Sequence, residues 1–419
     1  MPESRELWNW AGNVRYATER LREPETVEEL QDVVARSSRL RVLGSRHSFN
    51  RIGDTDGELV SLARIPHDAS VDGSGRVTVT APTTYGRLGT TLQARGRALH
   101  NLGSLPHITV AGACATGTHG SGVGNGCLAT AAAAVEFVRG DGELVTLRRG
   151  DADFSGAVLA LGALGVVTRL ELDTQPTFDV RQDVWVDADL DSVLADLDAV
   201  LACGYSVSMF SYLGDPAVVD QLWIKSRVAA DADPVDAGRW GARPATVAQH
   251  PIRGADTTAA TAQFGEPGPW NARLPHFRLE FTPSNGDEQQ SEFFVAREHD
   301  AAAIDALRRL SLGPVLQVCE IRTIAADELW LSPFHGRDTI ALHFTWANDD
   351  ALVADAVATV QATLAPFDPR PHWAKVFDVA PGDLQRHYPR LTDFRRLAAE
   401  CDPQRTFGNA FLERYVYGG

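Results

Sequence analysis

Apolar positions recur along this chain with two periods, close to four in some stretches and two in others, and the two kinds are intermixed. Over residues 26–36, Thr26-Val27-Glu28-Glu29 places a hydroxyl three residues before a carboxylate, and Val27, Leu30, Val33 and Val34 mark one face. That combination predicts an N-capped amphipathic helix. A short strand over 41–43 follows. Val77-Thr78-Val79-Thr80 alternates as a strand that Pro82 ends, and residues 85–95 read as a helix. Segments 135–138 and 144–147 flank Gly140-Asp141-Gly142, a hairpin pattern. Beyond Pro176, strands are expected at 180–186, 206–211, 221–225, 276–281, 315–323 and 339–346. Helices are expected at 190–203, 299–311 and 350–364. Residues 228–275, rich in Ala, Gly, Pro and Asp, read as a long loop or insertion. Strands and helices mix without strict βαβ alternation, so the fold class is α+β rather than doubly wound. The later strands make a large antiparallel sheet covered by helices, a cap over a first domain. Prolines 366, 369 and 371 mark a return to that domain, giving a division into 1–178, 179–368 and 369–419.

Composition narrows the partners. A chain of 419 residues is long enough for two or three domains, and 44% hydrophobic with 22% charged residues is ordinary for a soluble globular protein. A net charge of −16 argues against nucleic acid and against anionic membrane surfaces, so any anion site is built locally. Five scattered cysteines without CxxC spacing give neither a disulfide framework nor a zinc site, and no metal is expected. Met1-Pro2-Glu3-Ser4-Arg5-Glu6 lacks the apolar core of a signal peptide, and no run approaches the roughly 18 apolar residues of a membrane span. The expectation is a cytoplasmic protein. No heptad or apolar interface segment stands out, so a monomer is expected.

Two loops carry the chemistry. Val42-Leu43-Gly44-Ser45-Arg46-His47-Ser48-Phe49 runs from an apolar strand into a glycine turn that presents a histidine. Glycine lets backbone approach a ligand, so the loop can wrap a phosphate through main-chain N–H groups, with His47 beside it as a nucleophile. From Asn101 to Gly124 small residues dominate, hydroxyl donors are interleaved, and Leu105, Ile108, Val110 and Ala111 supply too much apolar surface for a free loop. Such a segment suits a long ligand lying against it. Neither loop has a Walker lysine or a strand–GxGxxG–helix context.

Period two matters further on. Glu320 and Arg322 project from one face of the strand at 316–323. In the strand at 340–346, Ile340, Leu342, Phe344 and Trp346 form the apolar face, so His343 and Thr345 point the other way. Two strands of one sheet thus present a carboxylate, a guanidinium, an imidazole and a hydroxyl to one cavity. Lys375, flanked by apolar residues in His372-Trp373-Ala374-Lys375-Val376-Phe377, is a candidate buried base, though lysine also snorkels to solvent.

The order of the His47 loop, the 104–124 loop and Gly162-Ala163-Leu164-Gly165-Val166-Val167-Thr168 resembles the vanillyl-alcohol-oxidase-type FAD flavoproteins. Glu320-Ile321-Arg322 and Pro371-His372-Trp373-Ala374-Lys375 narrow the resemblance to the sugar-alcohol (alditol) and aldonolactone oxidases. It covers the chain from Asn9-Trp10-Ala11-Gly12-Asn13 to Phe407-Gly408-Asn409-Ala410-Phe411. One departure is Arg46, where the resemblance implies a glycine. The resemblance implies a two-subdomain FAD-binding domain, FAD linked through its 8α carbon to His47, and hydride transfer from a primary alcohol to flavin N5. It further implies dinucleotide contacts from Val42, Leu43, Gly44, Ser45, Arg46, Ser48, Thr109, Gly112, Thr116, Gly117, Thr118, His119, Val167 and His372. The hydroxyls of a small polyol such as xylitol or sorbitol fall to Ser104, Glu320, Arg322, Thr345 and Lys375. His343 or Lys375 is the base, and Arg322 or Lys375 the cation near flavin N1. Gly103 leaves open space for oxygen, which is reduced to hydrogen peroxide. An aldonolactone oxidase or dehydrogenase is the near alternative, and a non-catalytic flavin-binding protein the distant one. A sugar-binding module without flavin leaves the 101–124 loop unexplained.

Overall fold

The computed structural model describes residues 6–214, 218–228, 235–281 and 287–418. Residues 1–5, on which the expectation of no signal peptide partly rests, and residues 229–234 of the expected insertion lie outside that range.

Among the described residues the N-terminal part holds three sheets, one of them only the pairing of Arg97–Ala98 with Gln175–Pro176. Glu58–Ser61 lies between Leu21–Arg22 and Leu40–Leu43 in a parallel sheet. A five-stranded antiparallel sheet runs Ala69–Val71, Val77–Thr80, Val166–Leu172, Ala132–Val138, Leu144–Arg148. The expected hairpin is present, with Ala134 opposite Arg148 and Gly142 at φ +84° in its turn. Helix Val27–Arg36 begins as its sequence dictates, Thr26 accepting the Glu29 N–H. Its Leu30 and Val34 pack with Leu40 and Val60 of the parallel sheet and Val138 and Val166 of the antiparallel one, fixing the two sheets around the strand that delivers residues 44–48.

The second part is a nine-stranded sheet whose main path is Arg243–Pro244, Asp179–Asp189, Val218–Arg227, Ser206–Ser211, Leu316–Ile324, Thr339–Ala347, Glu288–Ala296, Arg370–Pro371. On one face Ile321, Leu342, Phe344, Trp346, Phe293 and Val295 are buried under helices Asp300–Leu307 and Asp350–Leu364. The other face carries Glu320, Arg322, His343, Thr345, Gln290 and Glu292 into a cavity. Alternation therefore sorts strands Leu316–Ile324 and Thr339–Ala347 into a packed side and a chemical side.

Three expectations need correction. The helix expected at 190–203 is two helices, Leu190–Ala195 and Leu197–Ala202, because Asp196 (φ −130°, ψ 30°) leaves helical geometry. The strand expected at 276–281 is absent, and only Phe277 bridges Ala260. The strand belonging to that sheet is Glu288–Ala296, whose sequence Gln289-Gln290-Ser291-Glu292-Phe293-Phe294-Val295 is blocked rather than alternating. Its two faces are both covered, Phe293 and Val295 by the helices and Phe294 by the first domain's core, so alternation is lost. The helix expected at 299–311 is shorter, Asp300–Leu307.

The C-terminal segment stitches the two parts together. Pro371 pairs with Phe293, and Asn50 Nδ2 donates to the Trp373 and Lys375 carbonyls at 2.8 and 2.7 Å. Phe49 N–H donates to Ala374 O at 2.7 Å. Lys375 is thus held between the large sheet and the His47 loop. Asn409 Nδ2 reaches back to the carbonyls of Ile52 and Asp54.

Candidate active site

One cavity of about 910 Å³ joins all these parts. Its first wall is the loop after Leu40–Leu43. Among the described residues, none of the backbone N–H groups of residues 45–48 donates to a protein acceptor, and all four residues line the cavity. A Cβ on Gly44 would sit 2.7 Å from Thr109 Oγ1, so only glycine lets the two loops meet there. Arg46 takes φ +61°, the left-handed conformation in which glycine costs nothing. The departure from the family pattern therefore keeps the glycine-like backbone. Trp10 N–H donates to Arg46 O at 2.9 Å, and Asn9 Nδ2 and Asn13 Nδ2 donate to Ser48 O and Phe49 O. Residues 9–13 are accordingly a clamp on the loop. The His47 ring lies 4.6 Å from that of Trp10. Burial, reinforced by His107 and Arg46, pushes its pKa down to about 4 and leaves a lone pair free at neutral pH.

The opposite wall is a buried polar cluster. His343 stands opposite Glu320 on one neighbouring strand and opposite Glu292 on the other. Glu292 Oε1 accepts from Arg322 Nη2 at 2.8 Å and faces His119 Nε2 at 3.2 Å; its Oε2 accepts from Lys375 Nζ at 2.7 Å. Burial raises the Glu292 pKa, but Lys375, His119 and Arg322 outweigh it and hold the carboxyl well below its ordinary range. Glu320 is likewise raised by burial and held far below by Arg322 and His276. Arg322 Nε lies 3.5 Å from Glu320 Oε1, and its Nη1 reaches Ser104 Oγ at 3.5 Å. Burial lowers the Lys375 pKa against the pull of Glu292. His343 Nε2 faces Gln290 Oε1 at 3.1 Å, and its Nδ1 has no hydrogen-bond partner among the described residues. Burial, then the Lys375 charge, pushes this imidazole down to about 3, so it is neutral.

The structure brings nearly every sequence-expected residue to the one cavity: Val42 to Ser48, Ser104, Thr109, Gly112, Thr116, Thr118, His119, Val167, Glu320, Arg322, His343, Thr345, His372 and Lys375. Gly117 is the exception. It ends helix Val110–Thr116 at φ +74°, with Leu159 and Pro333 against it. His119 reaches the polar cluster through Glu292 rather than standing apart from it as a dinucleotide contact alone. Glu292, Gln290 and His276 were not anticipated. A polar block directly ahead of Phe293-Phe294-Val295 is the only sequence sign of the first two. All five cysteines are free, and no cluster suited to a metal and no helix long and apolar enough to cross a membrane occurs among the described residues.

Comparison with known proteins gives the family. An FAD-binding-domain family profile matches residues 18–148, and a D-arabinono-1,4-lactone oxidase profile matches residues 289–415. The chain is 48% identical over 416 residues to an alditol oxidase of Streptomyces sp., covering 98% of this chain and 99% of that one. It is 28% identical to an L-gulono-1,4-lactone dehydrogenase of Mycobacterium tuberculosis, again over 98% and 99%. Cholesterol oxidase from B. sterolicum superposes with a TM-score of 0.79 at 13% identity, covering 98% and 96% of the two chains, a likeness of fold alone.

Proposed function

The chain belongs to the FAD-dependent family of alditol and aldonolactone oxidases, and we propose that it oxidises the terminal primary alcohol of small alditols, xylitol and sorbitol among them, to the aldose. Oxygen takes the electrons and leaves as hydrogen peroxide. The reading takes residues 1–178 as the FAD domain, 179–368 as the cap and 369–419 as the returning segment. It includes a monomeric, cytoplasmic enzyme with the polyol and oxygen as its partners. The observation that carries it is the row of charged and hydroxyl side chains on the sheet face, Glu320, Arg322, His343 and Thr345, opposite Ser104 and Lys375. A polyol, dense in donors and acceptors, suits such a wall better than an apolar pocket does.

The cavity fits FAD: free N–H groups at residues 45–48, the close approach at Gly44, and small residues through 109–118 make an extended cradle. FAD supplies the two-electron chemistry when bound, accepting hydride from the carbinol carbon and reducing oxygen. The side chains do the rest. Glu320 accepts from substrate hydroxyls, while Arg322, Ser104 and Thr345 hold the others. Lys375, kept as a cation by Glu292, polarises the reacting hydroxyl. The Gln290 amide oxygen calls for a proton on His343 Nε2, so the lone pair that takes the hydroxyl proton as hydride departs is on Nδ1, a buried atom without a hydrogen-bond partner among the described residues. Glu320 Oε2, 3.8 Å from Nδ1, stabilises the imidazolium that results.

Absorbance under nitrogen tests the function. Xylitol is expected to bleach the flavin bands and air to restore them; bands that only a lactone bleaches would move the substrate class to aldonolactones. His47 is assigned the bond to the FAD 8α carbon. Flavin should stay with acid-precipitated wild-type protein and leave with the supernatant of His47→Ala, and flavin retained by the variant would refute that assignment.

A further inference from the structure

Lys225 lies behind the cavity wall and is joined through His276, which is part of that wall, to Glu320; the reaction as described uses neither Lys225 nor His276. Lys225, on strand Val218–Arg227, is 1% exposed. Its ammonium donates to three acceptors: Leu274 O at 2.6 Å, Pro275 O at 2.9 Å and His276 Nδ1 at 3.1 Å. None is a carboxylate. His276 is also buried, with the rings of Trp223 and Phe210 edge-on at 5.2 and 5.7 Å, and its Nε2 lies 2.7 Å from Glu320 Oε1.

A lysine enclosed without a counter-ion is expensive, and a methionine of similar length would fill the space without that cost. Burial accordingly pushes the Lys225 pKa down to about 7. The fold nonetheless supplies the turn at Leu274, Pro275 and His276 to satisfy every ammonium proton. What the cation does is legible at the imidazole. A ring that accepts on Nδ1 carries its own proton on Nε2, and that proton points at Glu320. The Lys225 charge also opposes a second proton: burial first, then Lys225, pushes His276 down to about 4. Glu320 therefore meets a neutral donor, which fixes one oxygen and leaves the carboxylate its charge. An imidazolium in that place would pair with the Glu320 carboxylate as a second cation beside Arg322 and offset the charge it presents to the polyol. The charged and titratable groups around this pair are Lys225, Arg322 and His343, and all three act on Glu320 or His276 at once.

We propose that Lys225 is a positioning residue that works through His276, setting the imidazole tautomer and holding Glu320 as a fixed, ionised acceptor for the polyol. The inference rests on the reading of Glu320 as a polyol ligand.

The test is stopped-flow reduction of the holoenzyme by xylitol under nitrogen. Lys225→Met is expected to raise the half-saturating xylitol concentration at least about tenfold, a loss of ~1.4 kcal/mol in substrate binding, while the reduction rate at saturation changes less than about threefold. Lys225→Gln, whose amide N–H restores a donor to Nδ1, should return half-saturation to within about threefold of wild type. In a His276→Leu background, Lys225→Met should add less than about twofold, since its route is gone. Equal shifts for Met and Gln, or a full Met effect without His276, would make Lys225 merely structural and overturn the inference. Should Lys225→Met not fold, Lys225→Leu takes its place: offering Nδ1 no donor, it should weaken saturation where Lys225→Gln does not, and equal effects of Leu and Gln overturn the inference. Glu320→Gln separates the two readings. If it leaves the xylitol dependence unchanged, Glu320 is no polyol ligand; if it shifts the dependence and Lys225→Met does not, only the role of Lys225 fails.

Discussion

Glu292→Gln is expected to slow flavin reduction at saturating xylitol by roughly a thousandfold and to cost about 3–5 kcal/mol of stability. The carboxylate is 1% exposed and is shared by Arg322, Lys375 and His119. Glutamine keeps the shape but removes the charge, leaving two buried cations with Glu320 as their remaining carboxylate in the cluster. The loss propagates to Lys375 first. Burial already lowers its pKa, and Glu292 is the main group opposing that shift, so the variant lysine is pushed further down and polarises the reacting hydroxyl less. Reduction kinetics and thermal unfolding, measured on the same preparation, separate the two effects. A variant that is less stable but reduces its flavin at near-normal rate would leave Glu292 a structural counter-ion and remove it from the chemistry.

That the most connected carboxylate of the site escaped sequence reading has a physical reason. Glu320, Arg322, His343 and Thr345 were legible because their strands keep one face apolar, and period two then assigns the other face to the cavity. Strand Glu288–Ala296 is covered on both sides, so the alternation that would have announced Glu292 is missing. Lys225 has the same difficulty in another form. A lysine within Gln221-Leu222-Trp223-Ile224-Lys225 reads as the solvent side of a strand, and only the turn folded over it from 274–276 shows it to be enclosed. His276 was placed in a strand that does not form, since apolar content there serves a loop wrapped on the cavity. His47 and Lys375 were identified as chemical residues from their loops, but that Asn50 ties one loop to the other depends on a contact across more than 300 residues. Arg46 shows the opposite limit. Glycine at that position serves a left-handed backbone, and the arginine adopts it because neighbouring contacts from Trp10 fix the turn.

Lys375→Met should also slow flavin reduction by roughly 10²–10³-fold, and its pH dependence tells which group is the base. Methionine fills the space of the lysine stem without its charge. In the wild-type protein burial and then the Lys375 charge hold His343 near 3, so the imidazole keeps its lone pair across the range in which the enzyme is assayed. Removing the lysine takes away the second of these causes, and the folded-state pKa rises from about 3 while burial still holds it below the ordinary histidine range. Below the raised pKa the ring is protonated and cannot accept the hydroxyl proton. The residual activity of Lys375→Met should therefore begin to fall on acidification at a higher pH than the wild-type reduction rate does. His343→Asn in the same assay should be slow at every pH, since no lone pair of comparable basicity replaces Nδ1. Were Lys375 the base instead, the opposite pattern would appear: His343→Asn would reduce its flavin almost normally, and Lys375→Met would show a low rate without a new acid limb. The pair of profiles, recorded by stopped flow under nitrogen, decides between a lysine that polarises the alcohol and one that deprotonates it.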